Sequence, residues 1–279
     1  MAIYFNYKEN KKRPIGKKIS AIVPVFNEEK TITNVVKKLL KSHLIDEVIC
    51  INDGSTDKSL EHLKKFKNKI KLISFDKNQG KGYALVEGIK KANEPIVVFI
   101  DADLTNLSQK HIETLLKPIL NNKFRAVLGY PSNGKIPNIF SNLTGERVYY
   151  KDDLLPHLSK MAKTRFGVEI FLNDIFDAKE TKKVPLKKLK GLYKSEKRDS
   201  INTFREYINE AVEIAQEIGK KEKLLPEDYQ IISQISKVTN IDELKVKIKK
   251  IANRDVKQFF ERYVLAYIKI AQNWLNKPN

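Results

Sequence analysis

Three clusters of acids and amides, each placed where a buried apolar run ends, constrain this chain more than any other feature. Ile19 to Val25, Glu47 to Asn52, Ile70 to Phe75 and Pro95 to Ile100 are short, β-branched and almost continuously apolar, as strands covered on both faces must be. Helical patterns separate them. Ile32, Val35, Val36, Leu39 and Leu40 recur at helical spacing, so Glu28 to Ser42 reads as an amphipathic helix, and further helices are expected over Lys58 to Phe66, Gly82 to Lys91 and Ser108 to Leu120. Arg125 to Leu128 reads as another strand. Strands alternating with helices predict an α/β fold, a Rossmann-like, mostly parallel sheet flanked by helices.

The clusters are Asn27-Glu28-Glu29, Asn52-Asp53-Gly54-Ser55-Thr56-Asp57 and Asp101-Ala102-Asp103. In open α/β sheets ligands bind beyond the carboxyl ends of the strands, so these three ends should share one crevice. Asp101 and Asp103 emerge together after the run Ile96 to Ile100, and two hard oxygen donors there suit Mg²⁺ or Mn²⁺. A divalent cation so held would stabilise a departing diphosphate. Gly80-Lys81-Gly82 lacks the spacing and the Ser or Thr of a Walker loop, which excludes P-loop chemistry. Its glycines still let the backbone come close to a phosphate, with Lys81 beside it and a helix beginning next.

The rest of the chain bounds the reading. Its 279 residues, 41% hydrophobic, can bury a large α/β core with an appendage. The +19 charge favours polyanionic partners, but no recognised nucleic-acid-binding motif accompanies it, so a basic nucleic-acid-binding protein is only the alternative of another class. Cys50 is the single cysteine, which excludes an internal disulfide. Met1 to Lys18 is Lys-rich without an apolar signal-like stretch, and no run approaches the ~20 apolar residues that span a bilayer. A cytoplasmic protein is expected, with peripheral contact at the inner membrane surface as the alternative. The four histidines show no metal-ligand spacing. Residues 1–18 read as a basic N-terminal segment, 19–130 as the nucleotide-binding core, 131–199 as a further ligand-facing part of the same catalytic domain, and 200–279 as a helical C-terminal extension. In the extension Ile241, Leu244, Ile248 and Ile251 form a stripe, expected to pack on the catalytic domain rather than on a membrane.

Ile22-Val23-Pro24-Val25-Phe26-Asn27-Glu28-Glu29, Asn52 to Asp57, Asn78-Gln79-Gly80-Lys81-Gly82 and Asp101-Ala102-Asp103-Leu104, in that order, resemble the motifs of glycosyltransferase family 2 and its GT-A relatives. Leu143 to Arg147 and Phe166-Gly167-Val168-Glu169 are similar to the branch of glucosyl-3-phosphoglycerate and mannosyl-3-phosphoglycerate synthases. That branch carries a metal-binding histidine on a later strand, where Leu189 to Lys194 offers none.

The resemblance implies a GT-A fold and a metal-dependent hexosyltransferase that uses a UDP- or GDP-sugar and a small phosphorylated or hydroxyl acceptor. It implies that Pro24, Val25, Asn27, Glu28, Asp53, Gly80, Lys81, Asp101 and Ala102 line the nucleotide-sugar site, Asp53 contacting the base. Asp101 and Asp103 would hold the metal, Gly145, Glu146 and Arg147 would face sugar and acceptor, and Glu169 with Asp103 would act in catalysis. A polyprenyl-phosphate transferase, bound peripherally to membrane, is the runner-up among enzymes. A sugar-phosphate nucleotidyltransferase is disfavoured, because Val23-Pro24-Val25-Phe26-Asn27 stands where its glycine-rich, Arg-containing loop would be.

Overall fold

The computed structural model describes residues 17–132, 144–164, 167–192, 208–209, 211–216, 218–219 and 224–265. Seven strands form one sheet: β1 Ile19–Val25, β2 Glu47–Asp53, β3 Lys71–Phe75, β4 Ile96–Phe99, β5 Ala126–Ser132, β6 Glu146–Tyr150 and β7 Thr181–Lys187, in the order β3-β2-β1-β4-β6-β5-β7. The first four are mutually parallel. β6 runs antiparallel to both β4 and β5, and β7 closes the far edge parallel to β5. The sheet is therefore mixed and mostly parallel, and residues of the 131–199 segment complete it instead of standing beside it.

Helices α1 Ile32–Lys41, α2 Ser59–Lys64, α3 Lys81–Lys91 and α4 Gln109–Leu120 follow β1 to β4 in turn. Alternate residues of β1 feed opposite layers: Ala21, Val23 and Val25 join one apolar cluster with Val35, Leu39 and Leu116, while Ile22 joins another with Leu85, Ile89 and Leu172. Burial on both faces explains why these strands read as unbroken apolar runs. On the second face α3 lies so close that a Cβ at Gly88 would stand 2.4 Å from the Ile22 side chain and 2.9 Å from that of Ile51. α1 begins at Ile32, four residues later than its sequence pattern suggests, because the backbone N–H groups of Asn27, Glu28 and Glu29 bond side chains of the segment after β2. After β6 come two short helices, α5 Lys151–Leu154 and α6 Leu158–Met161, then α7 Val168–Ile175, whose Val168 and Leu172 are buried against the second face.

The C-terminal helices α8 Pro226–Ile235, α9 Ile241–Lys249 and α10 Arg254–Phe259 form a third apolar cluster, whose members all lie between Ile208 and Leu265. Leu244, Ile248 and Ile251 are buried there with Ile232, Ile235, Phe259 and Phe260. The stripe expected to cover the catalytic domain thus packs on neighbouring helices, each presenting an apolar face of its own. Buried Asp228 ties the cluster together by accepting from the backbone N–H groups of Ala252 and Asn253, at 2.8 and 2.9 Å.

Candidate active site

The loops after β1 and β2 are laced to each other. Asn27 takes a left-handed φ of 58°, which asparagine tolerates better than most residues, and this turns its side chain toward the second loop. Its Oδ1 accepts from Thr56 N at 2.8 Å and Asp57 N at 3.3 Å, and its own N–H donates to Ser55 Oγ at 3.0 Å. Glu28 N donates to Ser59 Oγ, and Glu29 N to Asp57 Oδ2. Asn27 therefore holds the crevice wall in shape. Pro24 is half-buried, whereas Val25 and Ala102 have their side chains in the apolar core, so only their main chain can face a ligand.

Asp53 has a similar role in the next loop. It is 3% exposed, and its two oxygens accept from Gln79 N at 2.7 Å and Gly80 N at 2.9 Å. Those bonds pin the turn that starts α3. Gly80 caps that helix with φ 99°, a conformation that a side chain would strain, and Lys81 is its first residue. The expected base contact at Asp53 thus falls on a carboxylate that already organises the lysine loop.

Lys81 reaches across the crevice. Its Nζ lies 2.7 Å from Asp101 Oδ1, beyond the end of β4, and 2.7 Å from Glu169 Oε1, in the first turn of α7. Burial by itself would lower the lysine's pKa, but the two carboxylates outweigh it and hold the ammonium well above the usual lysine value. Three elements distant in sequence are joined through one cation.

Gly145 and Glu146 close the same space from β6. A Cβ at Gly145 would fall 2.0 Å from Asp101 Oδ2, so the lack of a side chain there is what lets β6 seat beside the acid. Glu146 is 4% exposed and hydrogen-bonds Thr144 Oγ1 through Oε2 at 2.7 Å. Burial pushes its pKa up to about 8, Asp101 and Asp103 add to the rise, and the Thr144 hydrogen bond and Lys81 oppose it. Arg147, the next residue, points to the other face of the sheet. It is 1% exposed, and its guanidinium donates to Thr144 O at 2.7 Å, Asn173 Oδ1 at 2.9 Å and Tyr149 Oη at 3.1 Å. Arg147, expected to face sugar and acceptor, is here a buried strut joining the Gly145 turn to α7, on the sheet face opposite Glu146.

Asp103 lies against a segment that carries no charge motif. Leu104 bridges Gly191, Thr105 N donates to Lys190 O, and Leu192 N donates to Asp103 O, both at 2.9 Å. Asn106 clasps the same stretch, donating to Lys188 O at 2.7 Å and accepting from Lys190 N at 2.8 Å. A Cβ at Gly191 would stand 3.2 Å from Asp103 Oδ1. The stretch without a histidine is thus the one that abuts the second acid of the pair; its Tyr193 and Lys194 lie outside the described residues, as do Phe166 and the loop 133–143. Only the resemblance, through the histidine it expects in this stretch, marked the pairing; the residues themselves did not.

The side chains gathered around the expected metal pair, Asp101 and Asp103, offer only hard oxygen, with the buried carboxyl of Glu146 nearby. Among the described residues no three acid, histidine or cysteine side chains form a ready-made metal cage. Such a set fits a cation shared with ligand phosphates, in the way Mg²⁺ is commonly bound by one or two carboxylates plus substrate oxygens.

Comparison with known proteins points the same way. Residues 20–138 match the profile of the family "Glycosyl transferase family 2". The chain is 34% identical over 145 residues to the UDP-N-acetylglucosamine–dolichyl-phosphate N-acetylglucosaminyltransferase of Methanococcus voltae, covering 46% of this chain and 56% of that one. It is 32% identical over 114 residues to glucosyl-3-phosphoglycerate synthase of Mycobacterium tuberculosis, covering 38% and 35%. Each match thus spans less than two thirds of the relative. The crystal structure of the mycobacterial synthase in complex with Mn²⁺ and UDP-glucose superimposes with a TM-score of 0.51 and 24% identity, over 63% of this chain and 72% of that one. The seven-stranded sheet with its flanking helices is accordingly a GT-A fold. Residues 20–138 of this chain form a glycosyl transferase family 2 domain.

Proposed function

We propose that the protein transfers a hexose from a nucleotide diphosphate-sugar, UDP- or GDP-linked, to a phosphate-bearing or hydroxyl acceptor with the help of Mg²⁺ or Mn²⁺. One observation carries this reading: Asp101 and Glu169 meet Lys81 at the carboxyl end of β4, with Glu146 and Asp103 close by, in the crevice where an open α/β sheet binds its ligand. Asp101 and Asp103, a DXD-type pair, would hold the cation, which when bound stabilises the charge that develops on the leaving diphosphate. Lys81, at the first turn of α3, adds a positive charge where the helix dipole already favours phosphate. Asp53 and Asn27 keep the loops that frame the base in register, and Glu169 is the carboxylate proposed to act on the transferred sugar or the acceptor hydroxyl.

The two relatives are named for a dolichyl-phosphate acceptor and a glucosyl-3-phosphoglycerate product, which supports a phosphate on the acceptor. The polyprenyl-phosphate reading draws on the first of them; no helix among the described residues is long and apolar enough to cross a membrane, so that acceptor would be met at the surface. A cytoplasmic setting accords with Cys50, which is buried and free. The test is a screen of UDP- and GDP-sugars for Mn²⁺- or Mg²⁺-dependent turnover, run with 3-phosphoglycerate and with a short polyprenyl phosphate. The expected result is transfer that needs the metal; binding of nucleic acid with no metal-dependent turnover of any nucleotide-sugar would overturn the reading.

A further inference from the structure

The ammonium of Lys81 sits where a second cation would have to go. Asp101 has two oxygens: Oδ2 faces the Gly145 backbone so closely that even a methyl group would collide, and Oδ1 carries Lys81 Nζ at 2.7 Å. A divalent ion binds a carboxylate oxygen at about 2.0–2.6 Å, and an ammonium on the same oxygen would then lie within about 4 Å of it, where like charges repel strongly in a partly buried site. Metal and lysine therefore compete for Asp101. The lysine's second anchor, Glu169 Oε1, also at 2.7 Å, lets it leave Asp101 without losing every partner. Its main chain stays fixed, because Asp53 holds the turn before it, but its four-carbon stem is free to rotate toward a phosphate at the start of the 11-residue helix α3.

Resting on the nucleotide-sugar reading above, we propose that Lys81 is the resident cation of the free protein, blocking Asp101 to metal until a nucleotide diphosphate draws the ammonium away, so that metal and nucleotide bind cooperatively. The device neutralises an acidic site between turnovers and keeps free metal from occupying it without donor. By reciprocity, whatever factor the nucleotide adds to metal affinity the metal adds to nucleotide affinity.

The experiment is calorimetric titration of the full chain with Mn²⁺ alone, with UDP or GDP alone, and with each nucleotide in the presence of Mn²⁺. For the wild type, Mn²⁺ alone should bind weakly and the nucleotide should tighten it at least tenfold. Lys81→Met should bind Mn²⁺ alone about tenfold tighter than wild type, and its coupling with nucleotide should shrink correspondingly. Lys81→Gln fills the same space with a neutral polar group and should behave alike, which covers the case in which the methionine variant does not fold. Lys190→Met removes an equal charge from the exposed segment beside Asp103 and should leave Mn²⁺ affinity within about twofold, separating local competition from the general field. The proposal falls if the Lys81 variants bind Mn²⁺ no tighter than wild type, if their coupling is undiminished, or if Lys190→Met tightens binding equally. Wild-type protein that binds neither UDP nor GDP with Mn²⁺ would instead sink the nucleotide-sugar reading, and this inference with it.

Discussion

The two halves of the sheet hold their polar residues by different physics. On the parallel half, β3-β2-β1, Asn27 and Asp53 commit their side-chain oxygens to backbone N–H groups of neighbouring loops. On the mixed half, where β4 meets β6, Lys81 faces Asp101 and Glu169 as a charge between charges, with the buried carboxyl of Glu146 beside them. The first arrangement gives a rigid wall, because each bond replaces one that the backbone would otherwise have to water. The second leaves groups whose balance shifts with the arrival of a phosphate or a cation. A transferase site needs both, a fixed frame for the base and an adjustable field at the bond that breaks.

Variants on either side of this divide should therefore fail differently. The largest effect is expected from Asp103→Ala, which removes a proposed metal oxygen from the charged half. Metal-dependent turnover should fall at least about a hundredfold while the circular dichroism spectrum stays native; wild-type rates would break the division of labour. Asp53→Ala, on the rigid half, should cost stability as well as binding. Leaving Gln79 N and Gly80 N without their acceptor costs about 1–3 kcal/mol for each donor that finds no water, and nucleotide affinity should drop roughly ten- to hundredfold. Thermal melts and calorimetry on Asp53→Ala and Asp53→Asn would sharpen the point, since the amide keeps one acceptor oxygen and should recover some of both losses.

A smaller effect separates the halves by pH. Glu146 keeps its proton in the native state up to about pH 8, whereas in the unfolded chain it ionises near 4.5, so the native state binds more protons across that window. Its stabilising contribution is full below about pH 4.5 and is lost as pH rises through about 8, with a slope of at most about 1.4 kcal/mol per pH unit. Glu146→Gln should flatten this region of the stability curve; an unchanged profile would show that Glu146 is ionised in the native protein. The smallest effect is expected far from the divide. Changing Lys245, Lys247, Lys249 and Lys250 together to Gln should leave sugar transfer to a soluble acceptor within about twofold and stability within about 0.5 kcal/mol per site. Salt-resistant co-sedimentation of the wild type with anionic liposomes, lost in that variant, would instead attach the C-terminal helices to a membrane surface.

Much of the parallel half was legible because double-sided burial writes itself as apolar runs; Ile19–Val25 matches its expected bounds to the residue, and α3 and α4 differ from theirs by one residue. β6 and β7 were not legible. β6 opens with Glu146-Arg147, two charged residues that are buried only because each finds partners across the fold, and β7 is an edge strand in which only Val184 and Leu186 are buried. The acids could be located because they follow legible strands. Glu169 was reachable only through resemblance, since the helix that carries it has eight residues and no side-chain cap. The loop-holding roles of Asn27 and Asp53 were invisible, because their partners are backbone groups 26 to 30 residues away with no side-chain identity to read.

The bare backbone at residue 145 limits how this protein can drift or be redesigned. Even alanine, the smallest step from glycine by mutation, would place a carbon 2.0 Å from Asp101, so every variant there moves the acid pair or pushes β6 from β4. The crevice can diversify through the loops around it, but not through this residue. The same property makes Gly145→Ala a natural starting point for a form of the protein inert in the proposed transfer, one that keeps the loops after β1 and β2 while the opposing acid is displaced.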